Sequence, residues 1–438
     1  MKKCKRNIPV IEKVVLPTLL VFIFHMAQAA PASQDIVRRG EYLARAGDCG
    51  ACHTTDHTKP FSGGMPFDVS VGKVYSTNIT PDTATGIGQY GLDDFVKVMR
   101  QGIAKDGHRL YPAMPYACYT RVSNDDLSAL YAFFMQSVKP QAVPNYPPEL
   151  NWLLGKRYYM AIWDAFYFKK GEYIDGPEKN AAWNRGAYLV QGLGHCGDCH
   201  TPRGAFGHVK DASEKSGNWF LAGGMIDNWH ASALNNEYKT GLRAWSKNDI
   251  VEFLKTGRTT RVAALGIMAQ VVEKSTQYLT DTDLFAIAEY LKSLPPFYAK
   301  GQNTLNTSAQ TPKDSMATIA LRSGKELGRG APLYVDNCNS CHGSDGRGAM
   351  RTFPDLVKNE TVNAKDPMSL IHLVLEGSAM PSTQTAPSAI AMPGFGWRLS
   401  DSEIVDVLDF IRNSWGNHAE SVGLRQVYRI RKALETNN

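Results

Sequence analysis

The sequence predicts an all-α protein in which one small helical unit occurs three times in tandem, and three observations carry that prediction. First, Cys-x-x-Cys-His occurs at residues 49–53, 196–200 and 338–342. Second, each copy follows a related segment: Arg39-Gly40-Glu41-Tyr42-Leu43, Arg185-Gly186-Ala187-Tyr188-Leu189 and, more loosely, Gly330-Ala331-Pro332-Leu333-Tyr334. Third, each copy is followed downstream by a helix start in which Ser or Thr has an acid three residues later, at Ser123/Asp126, Thr280/Asp283 and Ser400/Glu403. The helices after these caps carry apolar residues at helical spacing, as in Leu127, Leu130, Tyr131 and Phe134, or Ile404, Val407, Leu408 and Ile411. Strand-like alternation is scarce.

Cys-x-x-Cys-His has a definite chemistry. Two thiols on one tight turn can add to the two vinyl groups of a single porphyrin, and the adjacent imidazole then ligates the iron. Cys49 and Cys52, Cys196 and Cys199, and Cys338 and Cys341 are therefore the candidate haem attachment residues, with His53, His200 and His342 as proximal ligands. The competing readings fit less well. Zinc takes four ligands from paired knuckles, whereas these pairs lie far apart and each has its own His. A redox dithiol needs no His. Six of the eight cysteines fall in the motifs, which leaves Cys4 and Cys118. The expected fold is thus three tandem class I cytochrome c-like domains, each around one covalent haem c.

Haem c is attached outside the cytoplasm, and the N-terminus reads accordingly. Lys2, Lys3, Lys5 and Arg6 make a basic region, residues 14–24 are apolar, and Ala27-Gln28-Ala29 is an A-x-A cleavage site, so residues 1–29 are expected to be a signal peptide. The apolar run is shorter than the ~20 residues a spanning helix needs. Cleavage removes five basic residues and Glu12 and lowers the net charge from +6 to +2. Three haems would add about six propionate charges, which argues against a nucleic-acid partner and for recognition through local patches.

The remaining boundaries follow from the repeats and from Pro-rich or polar stretches. Residues 30–140 form domain one, 141–178 an aromatic-rich linker, 179–294 domain two, 295–322 a second linker, 323–417 domain three and 418–438 a basic amphipathic tail. The first linker holds Trp152, Tyr158, Trp163 and Phe166 with Lys156, Arg157, Lys169 and Lys170, which suits either a bilayer interface or packing between two domains. The tail sets Leu424, Val427, Ile430 and Leu434 against Arg425, Arg429, Arg431 and Lys432, as a lipid-resting or a solvated helix would.

A sixth iron ligand is expected between each motif and its capped helix. Met114, Met268 and Met392 recur there, 61, 68 and 50 residues after the proximal His. Methionine sulfur opposite His raises the haem potential and suits an electron carrier. Most of the fourteen methionines should be core filler. Met380 competes with Met392, which sits closer to its capped helix, as Met114 does. Met65 and Met225, both in Gly-Gly-Met, are expected to pack near the haem without ligating it. His57, His108, His195, His208, His230 and His372 are expected at the surface or beside the ligated residues. Three filled distal positions leave no open iron for a substrate, and no catalytic residue is assigned.

Several longer segments are more specific than the attachment motif: residues 40–49 (Gly-Glu-Tyr-Leu-Ala-Arg-Ala-Gly-Asp-Cys), 75–82 (Tyr-Ser-Thr-Asn-Ile-Thr-Pro-Asp), 107–116 (Gly-His-Arg-Leu-Tyr-Pro-Ala-Met-Pro-Tyr) and 392–401 (Met-Pro-Gly-Phe-Gly-Trp-Arg-Leu-Ser-Asp). Through them the chain, to about residue 417, resembles the triheme cytochrome c subunits of bacterial membrane-associated, quinone-reducing dehydrogenases. The family includes the flavin-linked gluconate, sorbitol and fructose enzymes and the quinoprotein alcohol dehydrogenases. The resemblance implies a substrate-oxidising catalytic subunit as partner, often a small third subunit, and membrane ubiquinone as acceptor. It also implies an exported protein held peripherally at the periplasmic face of the inner membrane. An independent multihaem shuttle to an oxidase or reductase is the alternative. Cys118 departs from the family pattern and is expected to be buried and inert. The Asn78-Ile79-Thr80 sequon is expected to be incidental.

Overall fold

Three close helix crossings organise the chain. The computed structural model describes Met1 and residues 32–152, 156–237, 241–297, 315–325 and 327–437. The expected signal peptide, with Cys4, lies outside the described residues. In each repeat an N-terminal helix crosses the capped helix: α1 (Gln34–Ala46) on α5 (Asn124–Gln136), α7 (Ala181–Gln191) on α11 (Asp281–Ser293), and α13 (Gly330–Asn337) on α17 (Asp401–Asn413). The crossing point is a glycine each time. A Cβ on Gly40 would stand 1.9 Å from the Ala129 carbonyl oxygen, on Gly186 1.9 Å from that of Ala286, and on Gly330 2.1 Å from that of Asp406. Backbone thus meets backbone, and an aromatic side chain on the capped helix (Phe133, Tyr290, Phe410) closes the crossing.

Each N-terminal helix runs directly into a short attachment helix: α2 (Cys49–His53), α8 (Gly197–His200) and α14 (Asn339–His342). The intervening segments carry α3 (Leu92–Gln101) and α4 (Tyr116–Tyr119) in the first repeat, α9 (Lys247–Thr256) and α10 (Ile267–Lys274) in the second, and α15 (Glu360–Asn363) and α16 (Met368–Glu376) in the third.

The fold is helix-rich, but the described residues also hold three small antiparallel sheets. Strand β1 (Pro66–Val69) pairs with β2 (Gly72–Tyr75), which pairs with β3 (Glu149–Leu150); β4 (Gly224–Ile226) pairs with β5 (Trp229–Ala231); and β6 (Gly377–Ala379) pairs with β7 (Ala391–Pro393). Strands of two to four residues are too short to show a period-two pattern, so the sequence alone predicts only helices. The β4–β5 turn is Asp227-Asn228, both left-handed at φ +46° and +61°, the backbone that a two-residue hairpin demands.

The first two repeats share one hydrophobic core, in which Leu43, Leu127 and Leu130 join Leu189, Leu193 and Leu284. Their interface is reciprocal. Tyr42 in the first repeat donates to Asp283 (2.6 Å) and accepts from the Thr280 amide (3.2 Å) at the capped helix of the second. Tyr188 in the second donates to Asp126 (2.6 Å) and accepts from the Ser123 amide (3.1 Å) at the capped helix of the first. Arg39 and Arg185 bind Asp126 and Asp283 within their own repeats. Although burial pushes the Asp283 carboxyl upward, the bonds from Arg185 and Tyr42 outweigh it and hold its pKa below the ordinary value.

The third repeat keeps its own core around Ile371, Ile404, Leu408 and Val427. Its Pro332 stands where Tyr42 and Tyr188 stand in the others, and its cap is correspondingly self-contained: Glu403 accepts the Ser400 amide at 2.8 Å in a reciprocal capping box. It meets the second repeat through His372 stacked on Trp229 (ring centroids 4.2 Å), Gly266 N–H on Ser378 Oγ (2.9 Å) and Trp245 Nε1–H on Glu360 (2.8 Å).

The connecting segments are more ordered than their composition suggests. Residues 140–148 lie back on the first repeat, where Asn78 Nδ2 donates to the Gln141 carbonyl at 2.7 Å. Asn78 is buried in that contact, which accords with an incidental sequon. The aromatic stretch forms α6 (Tyr159–Tyr167), and the second linker contains α12 (Met316–Ser323), capped by Ser315. In the tail, α18 (Leu424–Asn437) buries Val427 and Ile430 in the third repeat's core, and Arg431 binds Asp401. Its main apolar face is therefore spent on the protein, contrary to both the lipid-resting and the solvated expectation.

Gly186→Ala should destabilise the protein by about 1–3 kcal/mol, the usual range for overpacking a tight contact. Urea unfolding followed by circular dichroism measures it; an unchanged midpoint would show that the crossing relaxes freely.

Candidate haem-attachment sites

Each attachment turn is fixed by the same two backbone bonds. The proximal imidazole Nδ1 lies on a carbonyl oxygen: His53 on Thr77 (2.6 Å), His200 on Ser232 (2.6 Å) and His342 on Pro354 (3.1 Å). The same histidine's own carbonyl accepts an amide from a glycine: Gly63 (2.8 Å), Gly223 (2.8 Å) and Gly348 (2.9 Å). These glycines have φ of +78°, +91° and +61°, and a Cβ would stand 2.5 Å from the Thr77 carbonyl carbon at Gly63 and 2.2 Å from the Phe353 oxygen at Gly348. In the first two repeats the next residue tightens the turn further, with Thr54 Oγ1 accepting from Phe61 N–H and Thr201 Oγ1 from Leu221 N–H, both at 3.0 Å.

This arrangement fits a haem iron. With Nδ1 donating to a carbonyl, the tautomer leaves Nε2 as the lone-pair nitrogen, the arrangement metal-bound histidines adopt. Burial lowers the pKa of all three imidazoles, partly offset by the carbonyl bond, so each is held in the neutral, ligating form. Burial also raises the first thiol of each pair to about 12. Among the described residues no group of three His, Cys, Asp or Glu side chains comes together as a metal site.

Glycines 63 and 223 belong to the Gly-Gly-Met segments from which the methionines were singled out. The residues that matter to the turn are the glycines: Met65 precedes β1, and Met225 on β4 is well exposed. The signal available was the recurrence of Gly-Gly after the first two motifs; after the third, Gly348 stands alone in Gly346-Arg347-Gly348.

Met114 lies on the turn before α4 and packs against the shared core; Met268 is the second residue of α10; Met392 lies on β7, partly buried against the third core. Met380, the rival, is buried next to β6. The segment after each of the first two methionines reaches the other repeat's attachment motif. Beyond Met114, the Tyr119 ring packs edge-on to His195 (5.9 Å) and Cys118 Sγ lies 3.8 Å from Asp198. Beyond Met268, Ser275 Oγ reaches the Ala46 carbonyl, and α10 packs on α2. Cys118 is thus wedged between two motifs, where burial and then the Asp198 carboxylate push its thiol well above the ordinary value, away from the reactive thiolate. Of the other histidines, His372 is buried against Trp229 and Glu376, and His208 stacks on Tyr167 at 3.9 Å.

A helical unit in which a Cys-x-x-Cys-His turn presents a neutral, carbonyl-oriented imidazole is the mark of a c-type cytochrome, and the cytochrome c family model matches residues 327–415. Similarity extends over nearly the whole chain to three larger relatives. The cytochrome c subunit of the quinone alcohol dehydrogenase of Gluconobacter oxydans (strain 621H) is 45% identical over 416 residues, covering 94% of this chain and 86% of that one. The gluconate 2-dehydrogenase cytochrome c subunit of Pantoea cypripedii is 45% identical, covering 92% and 90%, and the fructose dehydrogenase cytochrome subunit of Gluconobacter japonicus is 38% identical, covering 92% and 84%. The chain belongs to this family of dehydrogenase cytochrome c subunits.

Proposed function

We propose that the chain is the triheme electron-transfer subunit of an exported, quinone-reducing dehydrogenase complex, with its three domains at 30–140, 179–294 and 323–417. The observation that carries this reading is the threefold recurrence of a neutral proximal histidine, bonded at Nδ1 to a carbonyl and closed by a left-handed glycine. Cys49 and Cys52, Cys196 and Cys199, and Cys338 and Cys341 would hold the three haems, His53, His200 and His342 would ligate them from one side, and Met114, Met268 and Met392 from the other. Haem bound in this way supplies one-electron redox chemistry. This chain's residues fix the imidazole tautomer, pack the first two sites against a common core, and keep the first two attachment motifs side by side.

The partner is a flavin or quinoprotein catalytic subunit that oxidises an alcohol, gluconate or polyol; the names of the relatives support this, as does their coverage of almost the whole chain. Such an oxidation releases two electrons and two protons, and membrane ubiquinone takes up two of each to become quinol. A small third subunit completes the complex as the resemblance implies. The chain sits peripherally at the periplasmic face of the inner membrane; no helix among the described residues is long and apolar enough to cross it.

Met114→Leu, Met268→Leu and Met392→Leu should each lower the potential of one haem and open that haem to carbon monoxide, while Met380→Leu changes neither. Redox titration with carbon monoxide difference spectra checks this; a shift with Met380→Leu and none with Met392→Leu would move the third ligand.

Reconstitution tests the function itself. With the catalytic subunit, the chain should confer substrate-dependent ubiquinone reduction that neither component shows alone. Equal quinone reduction without this chain would remove its role. Delivery of electrons to an oxidase with no dehydrogenase bound would favour the independent shuttle.

A further inference from the structure

Helix α6 is amphipathic in the inverse sense for a helix on an aqueous surface. Its single charged side chain, Asp164, points inward and is buried, where it accepts from Tyr116 Oη (2.8 Å) and pairs with Arg109. Its apolar residues at i, i+4 and i+8 point outward: Tyr158, just before the helix, is 62% exposed, Ile162 54% and Phe166 77%. Trp152 and Phe206, 76% and 69% exposed, extend the same aromatic character, and Phe206 is joined to α6 by the Trp163 Nε1–H bond to its carbonyl (2.9 Å). An apolar stripe of this kind, carried on a helix whose polar group is used internally, indicates a surface that another apolar phase covers.

The charges around the stripe say which phase. Lys156 and Arg157 precede it, Lys169 and Lys170 follow it, and Asp164, buried, is the only acid in residues 152–170. Of these cations Lys156, Lys169 and Lys170 are exposed, and exposed cations flanking Trp, Tyr and Phe are complementary to anionic headgroups over an acyl layer. The C-terminal α18, the other basic amphipathic helix, has already turned Val427 and Ile430 into the protein. We infer that α6 seats the protein on an anionic bilayer surface, with Tyr158, Ile162 and Phe166 in the headgroup–acyl boundary.

The docking would also orient the electron path. Asp164 ties α6 to Arg109 and Tyr116, which bracket Met114, and Arg157 donates to the Arg109 carbonyl (2.8 Å) while lying over the Tyr111 ring. The first haem site is therefore tied directly to this helix, and on the proposed function it is a site that serves membrane quinone.

Flotation of the assembled complex with vesicles of phosphatidylcholine containing phosphatidylglycerol tests the inference. An Ile162→Ser/Phe166→Ser double variant, which keeps Asp164, should bind at least about tenfold more weakly. Lys169→Gln/Lys170→Gln should lose binding to the anionic vesicles and leave the weak binding to pure phosphatidylcholine unchanged. Leu424→Ser/Tyr428→Ser on α18 should float as the unaltered complex does. Haem content and gel-filtration profile show whether each variant is folded and assembled. Undiminished flotation of the α6 variant would overturn the inference, as would loss of the catalytic subunit or of self-association by a variant that still floats, since a protein would then be the occupant. An unaltered complex that floats through α6 yet reduces no quinone would contradict the proposed function and leave the docking surface standing.

Discussion

Everything in each repeat serves the placement of one imidazole. The bond from Nδ1 to a backbone carbonyl sets the tautomer and the ring plane, and burial keeps the ring neutral. For that carbonyl to be in reach, the chain after the motif must double back, and a left-handed glycine does this at Gly63, Gly223 and Gly348. For the turn itself to be rigid, the helix feeding it must be clamped, and the crossing at Gly40, Gly186 or Gly330 brings it into backbone contact with the capped helix. Two glycine-dependent contacts per site thus convert a five-residue motif into a fixed, carbonyl-bonded imidazole.

The first two repeats have gone further than tandem duplication. Each lends a tyrosine to the other's helix cap, and each sends the segment after its candidate distal methionine to the other's attachment motif. The acids at the third helical position, which in an isolated unit would close a capping box, are here given to Arg39 and Tyr188 and to Arg185 and Tyr42. The third repeat retains the local capping box and a separate core. On the proposed function, two sites with a common interior and a third beside them form a connected arrangement for moving electrons in single steps. The first two repeats are in direct contact beside their motifs, and the second repeat touches the third through Trp229, Gly266 and Trp245.

The repeats, their helix caps and the Cys-x-x-Cys-His turns were legible in the sequence because each depends on local rules: fixed spacing, a hydroxyl before an acid, apolar residues at helical period. Asp126 and Asp283 were legible as cap residues but not as interface residues, since their partners lie 62 and 241 residues away. The hairpins were hidden by their shortness, and the docked faces of α6 and α18 by the fact that a basic amphipathic pattern does not say which neighbour it meets. In Gly-Gly-Met the sequence points to the methionine as a residue packed near the haem, whereas the glycine's role in the turn appears only when the positive φ and the absent Cβ are seen.

The central claim is that all three turns are haem sites of one kind. Mass spectrometry of the denatured, processed polypeptide from a haem c-maturing host measures it directly. A mass exceeding the polypeptide by three haems, with haem peptides containing Cys49 and Cys52, Cys196 and Cys199, and Cys338 and Cys341, is the expected result; a fully matured chain carrying two haems or fewer would contradict it.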